Sequence, residues 1–227
     1  MNMKNQIVTA FILVFATVVN AQTTKEQQSA LTPDKVLADL MNGNARFVTG
    51  KIHAPEIKKR VANSANGQYP KAIVLSCVDA RVPVETVFDQ GLGDLFVGRV
   101  AGNVEDEDQL GSMEFATKLA GAKLVFVLGH SACGAVKGAC DGAELGNLTA
   151  LLAKIRPAVD AVEGFKPEER NSANKEFVEK VVEQNVRQTM KDIRKDSPVL
   201  SEMEASGKIK IVGGIYDLHT GKVTLLK

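Results

Sequence analysis

Two apolar runs of strand length, far apart in the chain, each stop abruptly in reactive side chains. Ala72–Arg81 reads AIVLSCVDAR and delivers Cys77, Asp79 and Arg81. Leu124–Gly134 reads LVFVLGHSACG and delivers His130 and Cys133. Short continuous apolar runs fit strands buried on both faces of a sheet. Two thiols and an imidazole form a tetrahedral zinc set with one position left open. What the chain does therefore depends on whether these two ends meet.

The intervening pattern predicts how they could. Thr32-Pro33-Asp34 is a helix start, followed by Val36, Leu37, Leu40, Met41 and Phe47 at helical spacing. Glu56–Ala65 reads as a second short helix and Ala72 opens the first strand. Val82–Asp89 reads as one or two helical turns, Asp94–Val100 as a second strand and Asp108–Gly121 as a helix. Lys123–Leu128 is a third strand, and Cys133–Cys140 starts a helix of small residues. Leu148–Val162 and Lys166–Lys195 read as helices, with Ser197-Pro198 as a stop. Lys208–Tyr216 reads as a fourth strand and Lys222–Leu226 as a short antiparallel edge strand. This alternation predicts an α/β fold: a mostly parallel central sheet flanked by helices, with an antiparallel edge strand near the C-terminus. Ligands in such sheets sit beyond the carboxyl ends of the strands, where the strand order reverses. If the first and third strands are neighbours there, Cys77 and His130 converge.

At 227 residues the chain fits one domain. Lys and Arg number 28 and Asp and Glu 27, so no charge excess points to nucleic acid or to disorder. Residues 1–21 carry Lys4, an apolar run over Ile7–Val19 and small residues at Val19-Asn20-Ala21. That pattern predicts a cleaved signal peptide, too short at its apolar core for the ~20 residues of a membrane span. A mobile leader over 22–31 and one catalytic domain over 32–227 complete the expected organisation. The mature protein is expected to be exported, in the periplasm or secreted, with no stable membrane anchor. Three cysteines are few for an exported disulfide framework, and a thiol pair in an oxidising compartment is easier to explain if metal holds it. Cys140 reads as a small buried hydrophobe.

Cys77, Asp79 and Arg81 are spaced by two, so extended chain would aim all three at one pocket. His130 and Cys133 lie three apart across a turn into a helix, which suits two ligands on one ion. Asp79 and Arg81 can pair, keeping Asp79 ionised with an oxygen free to orient a hydroxide at the open zinc position. Alternatively Asp79 ligates the zinc itself and closes the site.

At these residues the sequence resembles the beta class of carbonic anhydrases. Cys77-Val78-Asp79-Ala80-Arg81-Val82-Pro83 matches that family's C-x-D-x-R-V block, and His130-Ser131-Ala132-Cys133-Gly134 its H-x-x-C-G block. Asp94–Val97 and Arg99–Asn103 also look like family sequence. The resemblance implies a zinc on Cys77, His130 and Cys133, an Asp79–Arg81 dyad and reversible hydration of carbon dioxide to bicarbonate. It implies a homodimer or dimer of dimers with active sites near the subunit interface. It extends less specifically to Gln68 and Phe96 as pocket residues. Phe115 stands where plant-type members usually have Tyr, and the N–H of Gly134 is a candidate donor to substrate oxygen. Two alternatives stand beside this reading. One is a carbonyl sulfide or carbon disulfide hydrolase on the same fold. The other is a non-catalytic protein whose structural zinc is closed by Asp79.

Overall fold

The computed structural model describes residues 22–53 and 56–226, so the expected signal segment lies outside the described residues. One five-stranded sheet carries the chain, in the order β2-β1-β3-β4-β5. Its strands are β1 (Ala72–Ser76), β2 (Leu95–Arg99), β3 (Leu124–His130), β4 (Lys210–Tyr216) and β5 (Val223–Leu225). The pairs β1–β2, β1–β3 and β3–β4 are parallel, and β5 closes one edge antiparallel to β4. From β1 the chain goes to β2 on one side and to β3 on the other, so the order reverses at β1. The two apolar runs are neighbours, Ala72 beside Leu124 through Ser76 beside Leu128.

All five residues of β1 and all seven of β3 are buried, which explains why neither run alternates. One face packs on α2 (Pro33–Val48) and α4 (Val84–Val87): Val74, Leu124, Phe126 and Leu128 meet Val36, Leu40 and Phe88. The opposite face packs on α5 (Glu107–Glu114), α8 (Lys175–Asp196) and α9 (Pro198–Ala205). There Ile73, Leu75, Val125 and Val127 meet Met113, Val186, Ile193 and Leu200. A third cluster gathers Cys77 and Cys133 with α6 (Gly134–Cys140), α7 (Gly146–Ala161) and α8. At ~1.5–3 kcal/mol per buried aliphatic or aromatic side chain, these layers fix the strand ends firmly.

Three segments differ from expectation. Residues 25–29, expected within a mobile leader, form α1 (Lys25–Ser29), capped by Thr24 and Gln27 in a reciprocal pair. Gln28 is buried there and donates to the carbonyls of Pro70 (2.7 Å) and Ala120 (2.8 Å). The stretch is polar because its polar groups cap and bridge. The long helix starts at Lys175, not Lys166: a 3-10 turn spans Pro167–Glu169, and the Asn174 side chain caps α8 by accepting from the N–H of Phe177. Ser197-Pro198 ends α8 as expected but also starts α9, with Ser197 as cap and Pro198 in the first turn. Glu56–Ala65 gives α3 (Ile57–Ser64). The helix expected over Asp108–Gly121 is α5 continued as a π-turn over Phe115–Leu119. Among the described residues, no helix is long and apolar enough to cross a membrane.

Candidate metal centre

Cys77 is the first residue beyond β1 and His130 the last of β3, and the adjacency of these strands puts them side by side. Cys133 follows across a short turn that Ala132 makes possible with a left-handed φ of 54°. One ligand atom from each of Cys77, His130 and Cys133 lies within 4.8 Å of the other two, and all three residues are buried. His130 Nδ1 is 3.0 Å from the carbonyl of Ser131, which assigns the ring proton to Nδ1. The other nitrogen, Nε2, is buried and has no hydrogen-bond partner among the described residues. A buried imidazole lone pair facing two sulfurs is costly unless something binds it. This donor set fits a zinc-type metal ion with three protein ligands.

One of the two sulfurs, that of Cys77, is already biased toward ionisation. Hydrogen bonding from the Cys133 thiol draws Cys77 well down against the opposing effect of burial, and the N–H groups of Gly102 and Asp79 add to it. Cys133, as the donor in that pair and buried, is pushed up, although the N–H groups of Val136 and Ala135 at the start of α6 pull the other way. The pair thus shares one proton, and a dication would displace it. Cys140 shares the third core cluster but is not among the three gathered ligand residues, and burial pushes its thiol up to about 11.

Asp79 lies at the rim. The extended-chain expectation holds only this far: Val82 N–H bonds back to the Asp79 carbonyl, so a turn, not strand alternation, brings Arg81 to it. Arg81 gives Asp79 Oδ1 its backbone N–H (2.9 Å) and Nε (2.9 Å), and gives Oδ2 its Nη2 (2.7 Å). That guanidinium holds the Asp79 carboxyl far below the usual range despite partial burial. Oδ2 also stands 3.8 Å from His130 Nε2, close to the ligand cluster but engaged by Arg81.

Four residues to which no role was given from sequence shape the two loops. Arg99 donates to the carbonyls of Cys77 (2.9 Å) and Asp79 (2.5 Å). Gly102 N–H donates to Cys77 Sγ at 3.4 Å, and Asn185 donates to the Gly102 carbonyl at 2.7 Å. Glu179 accepts from the N–H of Ala132 at 2.8 Å. Arg99 and Gly102 stood within a noticed block. Glu179 and Asn185 carry no local signal.

Residues 72–223 match the family model described as carbonic anhydrase. The carbonic anhydrase of Mycolicibacterium smegmatis is 37% identical over 189 residues, covering 82% of this chain and 89% of that one. Carbonic anhydrase 2 of Mycobacterium tuberculosis is likewise 37% identical, over 191 residues, at 82% and 89% coverage. Among solved structures, the beta-carbonic anhydrase CafA of Aspergillus fumigatus superposes with a TM-score of 0.65 at 26% identity, covering 86% of this chain and 90% of its own. The chain belongs to the beta class of the carbonic anhydrases. A tetrameric beta-carbonic anhydrase of Sordaria macrospora gives a TM-score of 0.65 at 25% identity, over 85% of this chain and 97% of that one.

Within this carbonic anhydrase not every expected pocket residue reaches the metal cluster. Gly134 does: it opens α6 directly after Cys133, exposed, with open space on its side-chain side. Gln68 is exposed ahead of β1, at the far end of that strand from Cys77. At ~3.3 Å per residue, Ala72 to Cys77 alone spans about 16 Å. Phe96 pairs in register with Ile73, near the same far end. Phe115 packs edge-on to Phe96 with ring centroids 6.0 Å apart. Phe96, Phe115 and Arg99 line an open cleft of about 820 Å³ along the outer edge of β2.

Proposed function

We propose that this carbonic anhydrase holds one zinc ion per subunit on Cys77, His130 and Cys133 and reversibly hydrates carbon dioxide to bicarbonate and a proton. The observation that carries the reading is the gathering of one ligand atom each from the buried Cys77, His130 and Cys133 within 4.8 Å of one another, with His130 Nε2 buried and unpartnered among the described residues. Zinc, when bound, supplies a Lewis acid that makes water a nucleophile near neutral pH. The chain's own residues supply the rest. Arg81 occupies both Asp79 oxygens with parallel donors, which keeps the carboxylate from closing the fourth position. Asp79 Oδ1 and Oδ2 retain lone pairs to accept a proton at the rim and orient the attacking oxygen. The N–H of Gly134, at the start of α6, would donate to a developing substrate oxyanion. The test is zinc stoichiometry and stopped-flow carbon dioxide hydration on one purified sample, beside Cys77→Ser, His130→Ala, Cys133→Ser and Cys140→Ser. Only the Cys140 variant should retain metal and activity. Full zinc with no hydration, but turnover of carbonyl sulfide or carbon disulfide, would reassign the substrate. Full zinc with no turnover of any of these would leave the metal a structural role.

Assembly belongs to the same reading: a homodimer, or a dimer of dimers. Among the described residues the β2 edge is unpaired in the sheet and only partly buried, and Phe115 (49% exposed) and Leu119 (76% exposed) lie on the π-turn near it. An open apolar edge is a pairing surface. Export to the periplasm rests on the Lys4, Ile7–Val19 and Val19–Ala21 pattern, and N-terminal sequencing of mature protein should begin near Gln22.

A further inference from the structure

Helix α8 presents an apolar stripe of Val178, Val181, Val182 and Val186 to the core, and Asn185 is buried among them at 2% exposure. A buried amide in such a place costs stability unless it is paired. Its pairing is specific: Nδ2 donates to the carbonyl of Gly102, 83 residues earlier in the chain, at 2.7 Å. Gly102 needs holding. It has a φ of 73° and is followed by Asn103 at 46°, so two successive residues sit in the left-handed region. A Cβ on Gly102 would meet Ile155 Cδ1 at 2.5 Å, so the backbone passes where no side chain fits. Its N–H points the other way, to Cys77 Sγ at 3.4 Å.

We propose that Asn185 is a positioning residue of the metal centre: through the Gly102 carbonyl it fixes the residue whose N–H bonds the Cys77 sulfur, and so sets how much charge that sulfur donates to a bound metal. A hydrogen bond to a ligand sulfur withdraws charge from it, and such outer partners tune both affinity and Lewis acidity. A second buried asparagine provides the comparison. Asn44 is buried and donates to the carbonyls of Val87 (3.0 Å) and Gly221 (2.9 Å), among none of the ligand residues. Both asparagines satisfy carbonyls, but only Asn185 does so one residue's backbone away from a ligand sulfur.

The inference rests on the metal site proposed above, and cobalt(II) as the probe separates the two. Wild-type protein should take up one cobalt per chain with a thiolate-to-cobalt charge-transfer band. Asn185→Ala should bind cobalt about 10–100-fold more weakly, with that band moved to longer wavelength because the freed sulfur is a stronger donor. Asn44→Ala should lose thermal stability while keeping wild-type cobalt affinity and spectrum. If Asn185→Ala does not fold, Asn185→Leu keeps the volume without the donor and should show the same shifts. A folded Asn185 variant with wild-type affinity and an unmoved band overturns the inference while leaving the metal site standing. Failure of the wild type to take up cobalt overturns both.

Discussion

Asp79 stands between two roles, and the hydrogen bonds around it decide which one it takes. Three donors from Arg81 engage its oxygens, while Oδ2 remains 3.8 Å from His130 Nε2. Asp79→Asn should therefore leave metal content unchanged, since no proposed ligand is touched. It should lower hydration about 10²–10⁴-fold, the usual contribution of a proton-handling group. Stopped-flow rates at matched metal content check this, and near-wild-type turnover would remove Asp79 from the chemistry. Residue-scale legibility divides along the same physical line. Cys77, His130 and Cys133 could be picked out because reactive side chains at the ends of buried strands serve no packing need. Asn185 could not, because one polar residue in a helical stripe looks like any solvated position until its partner 83 residues away is known. Glu179, partnered with Ala132 across 47 residues, was hidden for the same reason.

At the scale of elements, α8 reaches the ligand loops only because two strands give way to it. A Cβ at Gly129 of β3 would lie 2.6 Å from Val186 Cγ2, and one at Gly213 of β4 would lie 2.6 Å from Val186 Cγ1 and 2.9 Å from Met190 Sδ. Neither glycine has a left-handed φ, so the reason for each is proximity, not conformation. Gly213→Ala should cost about 1–3 kcal/mol by overpacking, seen as a lower midpoint in thermal or urea unfolding. Gly129→Ala should cost as much and also release metal more readily, because it adjoins His130. Unfolding midpoints unchanged in both would mean that α8 withdraws freely and does not grip the sheet. The strands were legible because continuous apolar runs bounded by turns have few other uses in a soluble chain. The helix ends were less so: α8 starts at Lys175 behind its Asn174 cap, nine residues later than the Lys166 read from the sequence, and Ser197-Pro198 serves equally as a stop and a start. The residues of α1 are polar in composition, and their value lies in carbonyls supplied by Pro70 and Ala120, which no local window contains.

For the whole molecule the decisive point is that one chain does not gather all the expected pocket residues. Cys77, His130, Cys133, Asp79 and Arg81 cluster at the carboxyl end of the sheet, whereas Gln68 lies beyond its amino end and Phe96 near it. The cleft along β2 runs between these regions, from Phe96 and Phe115 to Arg99, which itself holds the Cys77 and Asp79 carbonyls. A second copy docked antiparallel on the open β2 edge would bring its own amino end to this chain's carboxyl end, as two-fold symmetry requires. Gln68 would then serve the partner's site, not its own. Subunit mixing tests this directly. Cys77→Ser and Gln68→Leu, each alone, should hydrate carbon dioxide poorly, the first for want of metal and the second for want of the amide. Co-expressed with different affinity tags and purified through both, the mixed dimer pairs an intact metal cluster with an intact Gln68 from the other subunit. It should recover about half the wild-type rate per dimer, since one of two symmetric sites is whole. The opposite arrangement, Gln68 acting within its own chain, predicts a mixed dimer no more active than its parents. Recovery therefore places the amide across the interface, and its absence in a verified mixed dimer rejects that placement while leaving the metal chemistry intact.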